Sequence, residues 1–258
     1  MKTSLLNSLL FGLIVSFYSC ASSDQHKQDE VVAVVPASVP ISAPALEVHV
    51  AEHAAPAEHV EGIDPDKAMA WLQHGNTRFV KGKLRKDGQS HKDIARLSSG
   101  QHPHSILITC SDSRVPPEVV FDQKLGEVFV VRTAGEALDP TSVASVEYAV
   151  AHLGARNIVV MGHTQCGAVK ATLSVMKGAE ADTPNIAKLV ADISPRLRSF
   201  EGRGPASVDY KDEVWANTKG VASDLVGRSA LIGNALKNGE VKINVGVYDL
   251  NTGKVSWE

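Results

Sequence analysis

The chain has 258 residues, with 26 lysines and arginines against 29 aspartates and glutamates and a formal net charge of −3. That balance excludes nucleic acid as the main partner, which would call for a basic footprint. The length suits one sizeable domain with appendages, and the apolar fraction is ordinary for a globular protein.

Residues 1–20 read as a targeting leader. Lys2 gives a short positive start, residues 5–17 are apolar apart from Asn7, Ser8 and Ser16, and Tyr18-Ser19-Cys20 follow. The apolar stretch is too short and too poorly flanked for a stable spanning helix. Phe17-Tyr18-Ser19-Cys20 resembles a bacterial lipobox, whose Cys is lipidated after cleavage; a signal peptide cut near Ser19 or Ala21, or an uncleaved anchor, is the alternative. Lipidation of Cys20 would also account for the odd cysteine of the three. The expected location is the periplasm or cell envelope, with membrane contact only through this N-terminal lipid.

Residues 21–62 read as a tether rich in Pro, Ala, Glu and His. Pro36, Pro40, Pro44 and Pro56 interrupt any helical or strand period and favour an extended spacer. His49, His53 and His59 are read as incidental to a solvated linker, in preference to a zinc-scavenging role.

The folded domain is expected over residues 63–258. Asp64-Pro65 marks a helix start, and Ala68, Trp71, Leu72 and Phe79 continue an apolar stripe to about Val80. Three short apolar runs follow: residues 106–109, ending at Cys110; residues 128–131; and residues 158–161, ending at Gly162-His163. A helical segment over about 141–153 separates the last two. This alternation predicts an α/β fold with a mainly parallel central sheet flanked by helices. Further helical stretches are expected over 186–200, interrupted at Pro195, and over 214–236. Residues 241–248 alternate as a strand, and the turn Asn251-Thr252-Gly253 leads to a short terminal strand over 254–257.

Two segments carry the chemistry: Cys110-Ser111-Asp112-Ser113-Arg114 and His163-Thr164-Gln165-Cys166. Two thiolates and an imidazole leave a tetrahedral Zn²⁺ with one open position, as catalytic zinc needs, whereas structural sites close all four. Cys110 and His163 are expected just past the C-terminal ends of strands, the edge where sites form in α/β sheets. Cys166 should open the next helix, whose dipole favours a thiolate. Asp112 and Arg114 suit a bidentate carboxylate–guanidinium pair. Taken alone, that pair is an ordinary salt bridge.

These motifs, in the context Gly162-His163-Thr164-Gln165-Cys166-Gly167-Ala168, resemble a β-class carbonic anhydrase. The likeness extends over residues 126–132, 145–150 and 247–254, and runs from about Pro65 to the end. It implies Cys110, His163 and Cys166 as ligands of one Zn²⁺ per subunit, with Asp112 and Arg114 as a catalytic dyad. It implies a substrate-orienting Gln101, nine residues before Cys110, and pocket residues Phe129 and Tyr148. His152, one turn beyond Tyr148, matches a family proton shuttle. The implied reaction is zinc-dependent reversible hydration of carbon dioxide to bicarbonate and a proton, by attack of a zinc-bound hydroxide. Family members form homodimers or larger homo-oligomers in which pocket residues cross the interface. The segment Arg132-Thr133-Ala134-Gly135-Glu136 departs from the common family pattern. Two other readings stay open: another cumulated substrate, such as carbon disulfide or carbonyl sulfide, and a tethered zinc module with a vestigial centre, which the retained dyad disfavours.

Overall fold

The computed structural model describes residues 62–258; the leader, Cys20 and the tether up to residue 61 lie outside the described residues. Helix α1, Pro65–Val80, starts as the sequence predicts. Pro65 occupies its first turn and the Asp64 carboxylate accepts the Lys67 N–H at 2.9 Å, satisfying an end donor the helix itself cannot.

Five strands form one sheet: β1 Ser105–Cys110, β2 Val128–Thr133, β3 Asn157–His163, β4 Lys242–Tyr248 and β5 Val255–Trp257. Their order is β2-β1-β3-β4-β5, parallel throughout except for β5, which runs antiparallel to β4. Strands β1 and β3 are buried at every position, as inner strands covered on both faces must be. Ile106, Ile108, Ile158 and Val160 face α4 (Pro140–Leu153), α7 (Lys211–Arg228) and α8 (Ala230–Lys237). Leu107, Val159 and Met161 point the other way, toward α1 and the short α3 (Pro117–Val120). The period-two alternation thus divides the core into two layers.

A third apolar cluster covers the C-terminal ends of β1 and β3. It is built from α5 (Gly167–Met176), α6 (Pro184–Ile193), the 3₁₀ segment Ser194–Phe200 and the start of α7. From β1 the chain runs to β2 on one side and then crosses to β3 on the other. Such a reversal opens a crevice at the strands' carboxyl ends.

The sequence reading needs correction at three places. The stretch expected as one helix over 214–236 is two, because Ser229 adopts an extended backbone (φ −129°, ψ 106°) and its hydroxyl caps α8 by accepting the Ile232 N–H at 3.1 Å. Cys110 and His163 are the last residues of their strands rather than lying just beyond them. Helix α2, His91–Leu97, was not expected; it buries none of its residues and so carries no apolar period, only a Ser90/Asp93 capping box. Pro195 does fall where α6 gives way to the 3₁₀ segment.

Candidate metal centre

Parallel pairing sets β1 beside β3 with Thr109 opposite Met161, so the two strands deliver Cys110 and His163 side by side. Cys166 is brought back by the turn Thr164–Gln165 and stands at the N-cap of α5. Gln165 takes a left-handed backbone (φ 59°) in that turn, and its N–H is held by the Asp209 carbonyl at 2.8 Å. Gly162 allows the close approach behind His163: a Cβ there would lie 2.2 Å from the Thr218 hydroxyl of α7.

The Sγ atoms of Cys110 and Cys166 and a ring nitrogen of His163 lie within 4.8 Å of one another, and all three residues are buried. The two sulfurs are 4.0 Å apart. Zinc–sulfur bonds of about 2.3 Å in a tetrahedron require about 3.8 Å, so the spacing fits the ion with little adjustment. The imidazole supplies an independent test. His163 Nδ1 lies 2.9 Å from the Thr164 carbonyl, which can only accept, so Nδ1 carries the proton. Nε2 is then left with a bare lone pair, fully buried and without a partner among the described residues. A buried acceptor facing two thiols is costly unless it meets a cation. The donor set therefore fits Zn²⁺.

Cys110 titrates low, first because the Cys166 thiol donates to it, with further help from the Gly135 N–H at 3.3 Å. Cys166 is shifted up, first by that shared proton and then by burial. Two sulfurs this close share one proton, and the second is hard to remove without a cation.

Asp112 is held as drawn from the sequence. Its Oδ1 accepts from the Arg114 Nε at 2.9 Å and from the Arg114 backbone N–H at 2.9 Å, and its Oδ2 accepts from Nη2 at 2.7 Å. This bidentate grip keeps the carboxyl well below the usual carboxylate range, despite an opposing push from partial burial. Oδ2 also lies 3.8 Å from His163 Nε2, so the carboxylate borders the metal position.

The other expected site residues lie elsewhere in the chain. Phe129 pairs with Ile106, four residues before Cys110, about 13 Å back along the strand. Tyr148 sits 6.5 Å from Phe129 and His152 sits 5.1 Å from Tyr148, measured between ring centres. Gln101 is exposed in the segment that leads into β1. Within one chain none of these four is brought to the three ligands.

Sequence reasoning missed several residues that support the centre. Arg132 on β2 donates to the Cys110 carbonyl at 2.9 Å and to the Asp112 carbonyl at 2.7 Å, tying down the loop between the ligand and the dyad. Glu136 is fully buried, with one carboxylate oxygen unpartnered among the described residues, and burial first of all pushes its pKa well up. Asn217 on α7, also fully buried, donates to Glu136 Oε2 at 3.2 Å and to the Gly135 carbonyl at 2.9 Å. The only advance signal was the unusual Glu136 itself.

Comparison with known proteins converges on the same segment. The family described as carbonic anhydrase matches residues 105–255, from the start of β1 to the first residue of β5. A carbonic anhydrase of Mycolicibacterium smegmatis is 37% identical over 192 residues, covering 74% of this chain and 92% of that protein. The structure of the β-carbonic anhydrase CcaA superposes with a TM-score of 0.60 at 26% identity, over 73% of this chain and 94% of that one. A Coccomyxa β-carbonic anhydrase in complex with acetazolamide gives 0.56 at 27% identity, over 64% and 75%. Shared sequence, shared sheet and a Cys–His–Cys centre inside the matched segment place this chain in the carbonic anhydrase family, in its β class.

Proposed function

We propose the following roles for this chain's residues in the reversible, zinc-dependent hydration of carbon dioxide to bicarbonate and a proton. Cys110, His163 and Cys166 hold the ion. When bound there, Zn²⁺ acts as a Lewis acid that makes water a competent nucleophile at neutral pH. Asp112 accepts a hydrogen bond from the attacking oxygen's O–H and so turns a lone pair toward the carbon of CO₂. Arg114 keeps that carboxylate ionised and aimed, and holds it off the metal. The observation that carries this reading is the Asp112 carboxylate gripped by Arg114 while bordering the buried, unpartnered His163 Nε2.

The apolar substrate wall requires a second copy of the chain. Gln101 and Tyr148 are exposed, and Phe129 and Tyr148 lie at the opposite end of β2 from the centre. A homodimer that sets this patch against the partner's centre supplies Gln101 to bind a substrate oxygen and Phe129 and Tyr148 as a dry wall. His152, exposed beside Tyr148, then carries the released proton to solvent. Residues 1–61 support an exported enzyme tethered through a lipid on Cys20.

Stopped-flow CO₂ hydration by the purified, zinc-loaded protein tests the reading. It predicts zinc-dependent turnover that is abolished in Cys110→Ser. Full activity after complete zinc removal, or in that variant, would sink it. A zinc-loaded protein inert from about pH 6 to 9 would favour a vestigial centre instead.

A further inference from the structure

The Gly135 N–H, 3.3 Å from Cys110 Sγ, is held in place from a distant part of the chain. Gly135 and Glu136 both take left-handed backbones, with φ of 61° and 55°. Gly135 has no alternative residue, since a Cβ there would lie 2.8 Å from Ala168 Cβ and 3.0 Å from Ile193 Cδ1. For Glu136, which is not a glycine, such a backbone is unfavourable and persists only where its surroundings impose it. One side chain among these surroundings bonds to both residues. Asn217 donates to the Gly135 carbonyl at 2.9 Å and to Glu136 Oε2 at 3.2 Å, and thereby spans the turn.

Asn217 is itself fixed. Its Oδ1 accepts from the Arg196 guanidinium at 3.3 Å, and that side chain is 2% exposed. Arg196 in turn binds Asp192 at 2.9 Å and Asp224 at 2.8 Å. Asp192 closes the circuit by accepting the Leu138 N–H at 3.1 Å, two residues beyond Glu136. The loop is thus pinned at both ends by α6, the 3₁₀ segment and α7, and its Gly135 N–H points at Cys110 Sγ.

We propose that Asn217 is a positioning residue for the zinc centre, acting through the Gly135 N–H on Cys110 Sγ. The physical need is plain. Two thiolates neutralise the charge of Zn²⁺ and weaken it as a Lewis acid. A hydrogen bond to one sulfur draws off electron density and restores part of that acidity, while it also fixes the ligand's orientation. The proposal rests on Cys110 being a zinc ligand.

The test compares zinc-loaded Asn217→Ala with wild type by chelator competition, and the cobalt-substituted forms by absorption. Loss of the hydrogen bond should weaken zinc binding by about 10-fold or more and move the sulfur-to-cobalt band to longer wavelength. Asn244→Ala removes a 2.8 Å bond to Asn157 at the far end of the sheet and controls for lost stability. It should change neither readout. A folded Asn217→Ala with wild-type affinity and band, or the same changes in Asn244→Ala, would overturn the proposal. Should Asn217→Ala not fold, wild-type protein loaded with cadmium-113 decides. A scalar coupling from the Gly135 amide proton to the metal supports the hydrogen bond, and its absence overturns it. Cys110→Ser keeps the two readings apart: if it binds zinc as wild type does, the metal centre itself has been misassigned.

Discussion

Asp112 Oδ2 stands 3.8 Å from His163 Nε2 while Arg114 binds both Asp112 oxygens. The carboxylate thus borders the metal position with its charge already committed to a guanidinium. Arg114→Gln removes that commitment without removing a metal ligand. Zinc content should stay at one ion per chain while CO₂ hydration falls by about 10²-fold, within the usual range for a misplaced proton-handling group. Asp112→Asn should behave alike. Metal analysis beside stopped-flow rates checks both, and a rate within twofold of wild type in either variant would remove the dyad from the mechanism.

The two cysteine sulfurs are 4.0 Å apart, and a disulfide needs about 2.05 Å. Zinc should protect them. Chelation under air is expected to remove two free thiols per chain among the described residues and to block recovery of activity until a reductant is added. Thiol titration before and after chelation checks this; unchanged thiols after prolonged aerobic chelation would show that the pair is not poised to oxidise.

Glu136 gives a pH dependence of known sign. Its folded pKa is raised, first by burial, whereas the unfolded value is about 4.3. The native state therefore holds a proton that the unfolded chain releases. Stability drops as pH climbs from about 4.3 toward the folded pKa, at up to about 1.4 kcal/mol per unit. Glu136→Gln abolishes this slope and still offers a carbonyl to Asn217. Denaturant unfolding of the zinc-loaded proteins from pH 5 to 8 should show the variant's relative stability growing with pH. A constant difference would mean that Glu136 ionises normally.

Exchange of pocket residues between subunits has its own signature. Gln101→Ala and Asp112→Asn should each be impaired alone. Mixed and reassembled, they form hybrid dimers in which one site has both an intact Asp112 and a partner's intact Gln101. Activity should rise above the mean of the two parents. A strictly additive mixture, with hybrid formation confirmed by mass spectrometry, would place both residues in the same chain's site.

The sequence was a good guide wherever one local rule governed the outcome. Strands β1 and β3 appear as unbroken apolar runs because both faces are covered, and α1 announces itself through Asp64-Pro65. The ligands were legible because the motif fixes residue types at fixed spacing. Helix α2 was not, since a helix that buries nothing has no apolar period. The break at Ser229 was hidden inside a continuous helical composition. Least visible was the support of Cys110. Asn217 lies 82 residues from Gly135, and an Asn within a helix carries no mark of a partner that only the folded chain brings to it.

The central claim is that Cys110, His163 and Cys166 bind zinc while Arg114 keeps Asp112 off it. The most direct measurement is a crystal structure of the zinc-loaded protein at neutral pH, with anomalous data collected at the zinc edge. The account predicts one zinc peak per chain among those three residues, a solvent oxygen in the fourth position and Asp112 still paired with Arg114. Asp112 bound to the zinc in place of solvent, or zinc seated on other residues, would contradict it.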